Sequence, residues 1–193
     1  MVLTASTMMA LGTPAPDFQL EDVTTGQMIS LQALGTPKAI LMMFICCHCP
    51  FVKHVQGQLA QLGHDYGNQG VAIVAISAND AEKYPADAPE RLKEMAETLG
   101  FTFPVCFDAS QQVAKNYTAA CTPDFFLFDG DRHLVYRGQL DGSRPSNGIP
   151  VTGEDLRAAI DAVLAGQSVS SDQQPSIGCN IKWKQGNEPE YFG

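Results

Sequence analysis

Three thiols and an imidazole stand together at Cys46, Cys47, His48 and Cys49. Cys46 and Cys49 are spaced C-x-x-C, a separation at which two thiols at a helix start can close a small disulfide ring. The thiolate is the reactive form of cysteine, and its pKa falls below the free value of about 8.5 near a helix N-terminus or a cation. The chemistry this predicts is thiol–disulfide exchange. Cys46 is expected at the helix start as the attacking thiolate, and Cys49, one turn into the helix and less exposed, as the resolving thiol. A protonated His48 would supply a cation and make the disulfide more oxidising than one without a cation nearby. The same four side chains are soft ligands suited to Cu(I) or zinc. Adjacent residues cannot all face one ion, so that second reading needs help from Cys121 or His54. A structural zinc is disfavoured, because no second C-x-x-C and no H-x3-H accompanies the first.

For the two cysteines to work as a pair, a rigid strand must deliver them and a helix must start behind them. Residues 39–45 are an unbroken apolar run following Lys38, the pattern of a central strand buried on both faces. From Pro50 the period changes: Phe51, Val52, Val55, Leu59 and Leu62 line one helix face, with Gly63 or Gly67 as its stop. Residues 71–77 form a second buried strand, so 38–77 is a βαβ unit with a right-handed crossover. Residues 79–88 read as a polar loop. Pro89 opens a helix that Gly100 ends. A short strand over 103–107, a helix over 109–117 and a hairpin about Asp129-Gly130 follow. Thr152 with Asp155 gives a capping-box pattern for the helix carrying Leu156 and Ile160. Ahead of this unit, residues 12–36 form an N-terminal β extension turning at Thr25-Gly26. Behind it, residues 167–176 read as a polar linker, and the tail to 193 holds the only tryptophan, Trp183, which is expected to dock. The alternation of strands and helices specifies an α/β class and a single domain over 1–193.

A second constellation is Cys121-Thr122-Pro123. A proline directly before a strand, in a chain of this order, is where a cis bond could turn the backbone against the thiols and bring Cys121 near Cys46. Cys121 as a small buried hydrophobe is the equal alternative. Cys106 reads as core. Cys179 stands between two readings, a late partner in a disulfide relay or a packed residue under Trp183. Arg144 reads as one half of an ion pair with a carboxylate.

Composition narrows the partners. The chain has 193 residues and a net charge of -9. Acidity of that size argues against nucleic acid and anionic membrane, which demand clustered Lys and Arg. No run reaches the 18 or so apolar residues of a membrane span, and the first eleven residues lack a signal peptide's basic start. The expected setting is cytoplasmic, where disulfides are transient and catalytic. No cofactor and no bound metal is expected.

These residues resemble the thioredoxin superfamily, in particular its redoxin branch of alkyl-hydroperoxide-reductase and thiol-specific-antioxidant-like domains. They are most similar to a group of bacterial thioredoxin-like proteins with Phe-x-Cys-x-His-Cys-Pro-x-Val-Lys, here Phe44 to Lys53. That group also carries Thr-Pro-Asp-Phe, here Thr122 to Phe125, and Pro-Ser-x-Gly-Cys-x-Ile-Lys-Trp-Lys, here Pro175 to Lys184. The resemblance implies a thioredoxin-like fold, with a central mixed sheet flanked by helices and a β-hairpin extension. It implies an active-site disulfide between Cys46 and Cys49, and a cis bond at Pro123. His48, Cys47, Pro123 and Cys121 become supporting residues. The implied partners are disulfide-bearing protein substrates and an electron-donor thiol system. Three departures stand out. Thioredoxins proper have Trp-Cys-Gly-Pro-Cys, whereas Cys47-His48 replaces Gly-Pro here and the tryptophan is absent. The strand 38–45 holds no carboxylate to accept the resolving thiol's proton. Peroxiredoxins carry Thr or Ser three residues before the peroxidatic cysteine, where this chain has Met43 before Cys46, which counts against the thiol peroxidase alternative.

Overall fold

Six apolar residues in a row, Ala39–Phe44, give a strand no polar face, so both its faces must be covered. The computed structural model describes residues 3–192 and shows how this is done. In chain order the first elements are β1 (Leu3–Ala5), β2 (Gln19–Glu21), β3 (Met28–Ser30), β4 (Ala39–Phe44), α1 (Pro50–Tyr66) and β5 (Val71–Ser77). There follow α2 (Pro89–Leu99), β6 (Val105–Phe107), α3 (Gln112–Asn116), β7 (Cys121–Thr122), β8 (Asp124–Asp129), β9 (Leu134–Gly138), α4 (Glu154–Leu164) and β10 (Ile177–Asn180). The main sheet runs β6-β5-β4-β8-β9. β4 pairs parallel with β5 and antiparallel with β8, so the sheet is mixed and β4 is its centre.

Alternate residues of β4 enter two separate cores. Leu41 and Met43 pack under Val52, Leu59 and Leu62 of α1, Leu92 of α2 and Ile160 of α4. Ile40, Met42 and Phe44 face Phe18, Leu31, Tyr117 and Trp183. The β2–β3 hairpin forms the expected extension. α2 ends at Gly100, which takes a left-handed φ of 66° and returns its N–H to the last turn, the ordinary use of glycine at a helix stop.

The structure departs from the sequence-based expectations in two places. The helix expected over 109–117 is only Gln112–Asn116. Gln111 sits in the left-handed region at φ 63°. Its amide donates to the carbonyls of Ala78 and Lys182 and its oxygen accepts from the Lys184 N–H. That buried side chain clamps the tail instead of starting a helix. The capping box at Thr152 and Asp155 does not form. Gly153 is the N-cap, at φ 74°, and the N–H groups of Thr152 and Gly153 are claimed by the buried Asp141 carboxylate at 2.7 and 2.6 Å.

The tail docks through a second, three-stranded sheet of order β1-β10-β7. Trp183 is 7% exposed and meets Tyr191 edge-on. Residues 173–176 run along the edge of β9, with the Gln139 N–H donating to the Gln174 carbonyl at 2.9 Å. β10 approaches β7 so closely that a Cβ built on Gly178 would collide with the Thr122 carbonyl oxygen. Gly178→Ala is therefore expected to push the tail strand off β7 and destabilise the chain by about 1–3 kcal/mol. A thermal melt should show the midpoint falling by roughly 2–4 °C per kcal/mol, and an unchanged midpoint would contradict this packing.

Candidate active site

The C-terminal ends of the parallel strands β4 and β5 lie side by side, so the loops that leave them are neighbours. Open α/β sheets gather functional groups at that edge. The loop after β4 carries Cys46, Cys47, His48 and Cys49. The loop after β5 brings Asp87, which is fully buried. A carboxylate removed from water needs donors on its oxygens, and the thiol loop provides them. One Asp87 oxygen accepts the backbone N–H groups of Cys47 and His48 at 2.8 and 3.0 Å. The other meets the Nδ1 atom of His48 in a short contact and accepts from the Asn79 amide at 2.7 Å. The His48 ring lies flat on Tyr84, with centroids 5.6 Å apart and planes 8° from parallel. His48 is thus a paired group with a fixed orientation, where the sequence reading had a free cation beside the thiols.

The thiols also sit differently from the sequence expectation. Cys49, and not Cys46, occupies the N-cap of α1. Neither residue exposes any surface, so Cys49 is no less exposed than Cys46. The Cys46 sulfur lies 3.4 Å from the Thr122 hydroxyl. The Cys49 sulfur lies 3.1 Å from the Thr122 carbonyl oxygen and 2.8 Å from the Cys179 sulfur. All six cysteines are free thiols. The expected cis bond is present between Thr122 and Pro123. Cys121 lies in β7 beside Thr122, and its thiol points to the Pro123 carbonyl at 3.6 Å.

Electrostatics reverses the expected order of the pair. The hydrogen bond with Cys46 draws the Cys49 thiol well below its usual range, more strongly than burial raises it, and Cys179 adds to the lowering. That same bond with Cys49, then burial and the Asp87 charge, hold Cys46 far above its usual range. The direction is that Cys49 gives up its proton more readily than Cys46. Burial first, then Asp87, pushes Cys47 up to about 12, and burial first, then the Cys49 contact, pushes Cys179 up to about 12. Burial also lifts Cys121 well above the free thiol.

Two buried carboxylates lie near the site. Asp124 stands opposite Phe44 in the β4–β8 ladder and shares its face of the sheet, that of the second core, away from the thiols. Burial raises it to about 8. Asp87 is the carboxylate that touches the thiol loop, and sequence reading passed over it as part of a polar loop. The available signal was topological: two consecutive parallel strands must release their loops at the same edge. Cys46, His48 and Asp87 place their ligand atoms within 4.8 Å of one another, a group able to hold an ion. His54 belongs elsewhere, its Nε2 atom 2.7 Å from the Ser143 hydroxyl. Arg144 donates to the carbonyls of Asp141 and Ser143 and to the Gln139 side chain, and among the described residues no carboxylate pairs with it.

The AhpC/TSA family profile matches residues 11–137. A thiol-disulfide oxidoreductase ResA of Geobacillus thermodenitrificans is 28% identical over 126 residues, 65% of this chain and 67% of that protein. The crystal structure of an uncharacterized conserved protein from Geobacillus kaustophilus superposes with a TM-score of 0.93 at 56% identity, covering 95% of this chain and 97% of that one. The thioredoxin domain of a thiol-disulfide oxidoreductase from Bacteroides vulgatus superposes with a TM-score of 0.57 at 20% identity, over 68% of this chain and 89% of its own. The fold is thioredoxin-like.

Two outcomes follow from this geometry. Thiolate ultraviolet absorbance should show one sulfur titrating well below the free-thiol value of about 8.5, lost in Cys49→Ser and moved upward in Cys46→Ala. A lowered folded pKa also means that the Cys49 share of stability is present above the unfolded pKa and is lost as pH falls through the folded one. Asp87→Ala strands the Cys47 and His48 N–H groups and the Asn79 amide. At about 1–3 kcal/mol for an orphaned buried group, the melting midpoint should drop by roughly 6 °C or more, and Asp87→Asn should recover part of that loss.

Proposed function

The chain belongs to the AhpC/TSA family, and from that premise we propose that Cys46 and Cys49 are the dithiol–disulfide couple of a thiol–disulfide oxidoreductase. The observation that carries this reading is that the two buried sulfurs both lie against Thr122, the residue that enters the cis peptide at Pro123. A dithiol in which one sulfur ionises more readily is already divided into a nucleophile and a proton donor.

The Cys49 thiolate attacks one sulfur of an incoming disulfide, and the other sulfur leaves as a thiolate. Cys46 gives its proton to that leaving group. The resulting Cys46 thiolate attacks Cys49 in the mixed disulfide, closes the Cys46–Cys49 bond and releases the second substrate sulfur. Two electrons pass from the protein to the substrate, and an electron-donor thiol system returns them. The Thr122 hydroxyl, 3.4 Å from Cys46, stabilises the Cys46 anion in the resolving step. Asp87 holds the loop still and disfavours the anion on Cys46 until substrate arrives. His48 and Pro123 act by position, as does Cys121 behind β7. Cys47 faces an open groove beside Lys53, Arg91 and Glu94 and is a contact surface for the substrate, not a member of the couple.

The substrates are disulfide-bearing, in accord with the names of the relatives, and a cytoplasmic setting belongs to the same proposal. Thiol peroxidase activity is disfavoured by Met43, which lies wholly inside β4 and offers no hydroxyl. Copper or zinc carriage is disfavoured because His48 and Asp87 already satisfy each other. Insulin reduction should lose nearly all turnover in both Cys46→Ser and Cys49→Ser, while Cys47→Ser keeps most of it. Undiminished turnover in the first two variants would sink the assignment.

A further inference from the structure

Three sulfurs, not two, meet at the head of α1. The Cys46 and Cys49 sulfurs both lie against Thr122, and Cys49 stands 2.8 Å from the Cys179 sulfur. A disulfide bond is about 2.05 Å long, so little motion separates the Cys49–Cys179 contact from a bond. The placement of Cys179 is not incidental. It sits opposite Thr122 in the β10–β7 ladder, and its neighbour Gly178 has no Cβ because the Thr122 carbonyl fills that space. That carbonyl is the same one that lies 3.1 Å from the Cys49 sulfur. One peptide group therefore sets the positions of both sulfurs. The other thiols are differently engaged: Cys106 lies in the second core and Cys121 faces Pro123.

We propose that Cys179 is a second disulfide partner for Cys49, so that the oxidised protein holds its one disulfide in either of two places, Cys46–Cys49 or Cys49–Cys179. This rests on the reading of Cys46 and Cys49 as the redox couple. The step is an exchange with no net oxidation. The Cys179 thiolate attacks the Cys49 sulfur, the bond from Cys49 to Cys46 breaks as the new one forms, and Cys46 leaves as a thiolate. Cys46 then takes up the proton that Cys179 gave away. One thiol and one disulfide are present after the step, as before it: the electron count is unchanged and only the position of the bond moves. The exchange carries the disulfide from the active-site loop into the seam under the tail strand. It returns Cys46 to its reduced state while the protein remains oxidised, and it ties the tail covalently to α1.

The test uses the full chain equilibrated in a series of reduced and oxidised glutathione buffers. Samples are quenched in acid, denatured, alkylated, digested and mapped for linked peptides by mass spectrometry. The expected result is a Cys46–Cys49 linkage together with a Cys49–Cys179 cross-link in the wild type, the second lost in Cys179→Ala. Loss of one of two comparably populated oxidised forms should shift the oxidation equilibrium of Cys179→Ala by about twofold toward the reduced state. Cys46→Ala, which leaves Cys179 as the sulfur in contact with Cys49, should oxidise to the cross-linked form directly. Absence of the Cys49–Cys179 peptide from both the wild type and Cys46→Ala at every buffer ratio would overturn the proposal. Absence of a Cys46–Cys49 linkage from the wild type would instead remove the assignment of the couple.

Discussion

A carboxylate taken wholly out of water must be met by donors, and the conformation of the thiol loop is the way this protein meets that demand at Asp87. Two backbone N–H groups, one imidazole and one amide converge on it. The loop between β4 and α1 is thereby held from behind, and Cys46 and Cys49 are left to face Thr122 on the other strand. The arrangement joins two elements remote in sequence, since the loops after β4 and β5 are separated by the whole of α1. It also gives Cys47 and His48 a reason to stand between the two cysteines: their N–H groups and the His48 ring are the anchor.

The Cys46–Cys49 pair draws its asymmetry from contact more than from the helix. Cys49 stands at the N-cap but makes no capping bond. Its anion is favoured first by the Cys46 hydrogen bond, against the cost of burial. Where thioredoxins proper rely on a carboxylate in the strand before the motif, this strand is apolar from end to end, and the buried acid across from it, Asp124, faces the opposite core. Proton handling is left to the sulfurs themselves and to the Thr122 hydroxyl.

The parts of the molecule written in periodic patterns were legible without coordinates. The apolar run of β4, the helical stripe of α1 and the strand β5 appear where the residues place them, and the cis bond at Pro123 that the resemblance implies is present. What was not legible depends on side chains meeting across the fold. Gln111 abandons a helix start to clamp the tail, and Asp141 takes the N–H groups that a capping box would have used. Asp87 was hidden because a carboxylate in a polar loop looks solvated until topology sets that loop against another. The roles of Cys46 and Cys49 depend on contacts of the same kind. Spacing fixes how far apart two thiols are, but which of them ionises more readily is set by neighbours such as Thr122 and Cys179, which arrive from the far end of the chain.

The single tryptophan lies in the docked tail, four residues beyond Cys179, with its indole packed into the second core and against Tyr191. Its N–H has no hydrogen-bond partner among the described residues. An indole in such surroundings emits differently from one in water, and no other indole overlays its signal. Tryptophan emission, excited beyond the tyrosine band, is therefore a report on the docked tail. Detachment of the tail and global unfolding can be watched as separate events, the first by emission and the second by the circular dichroism of the helices.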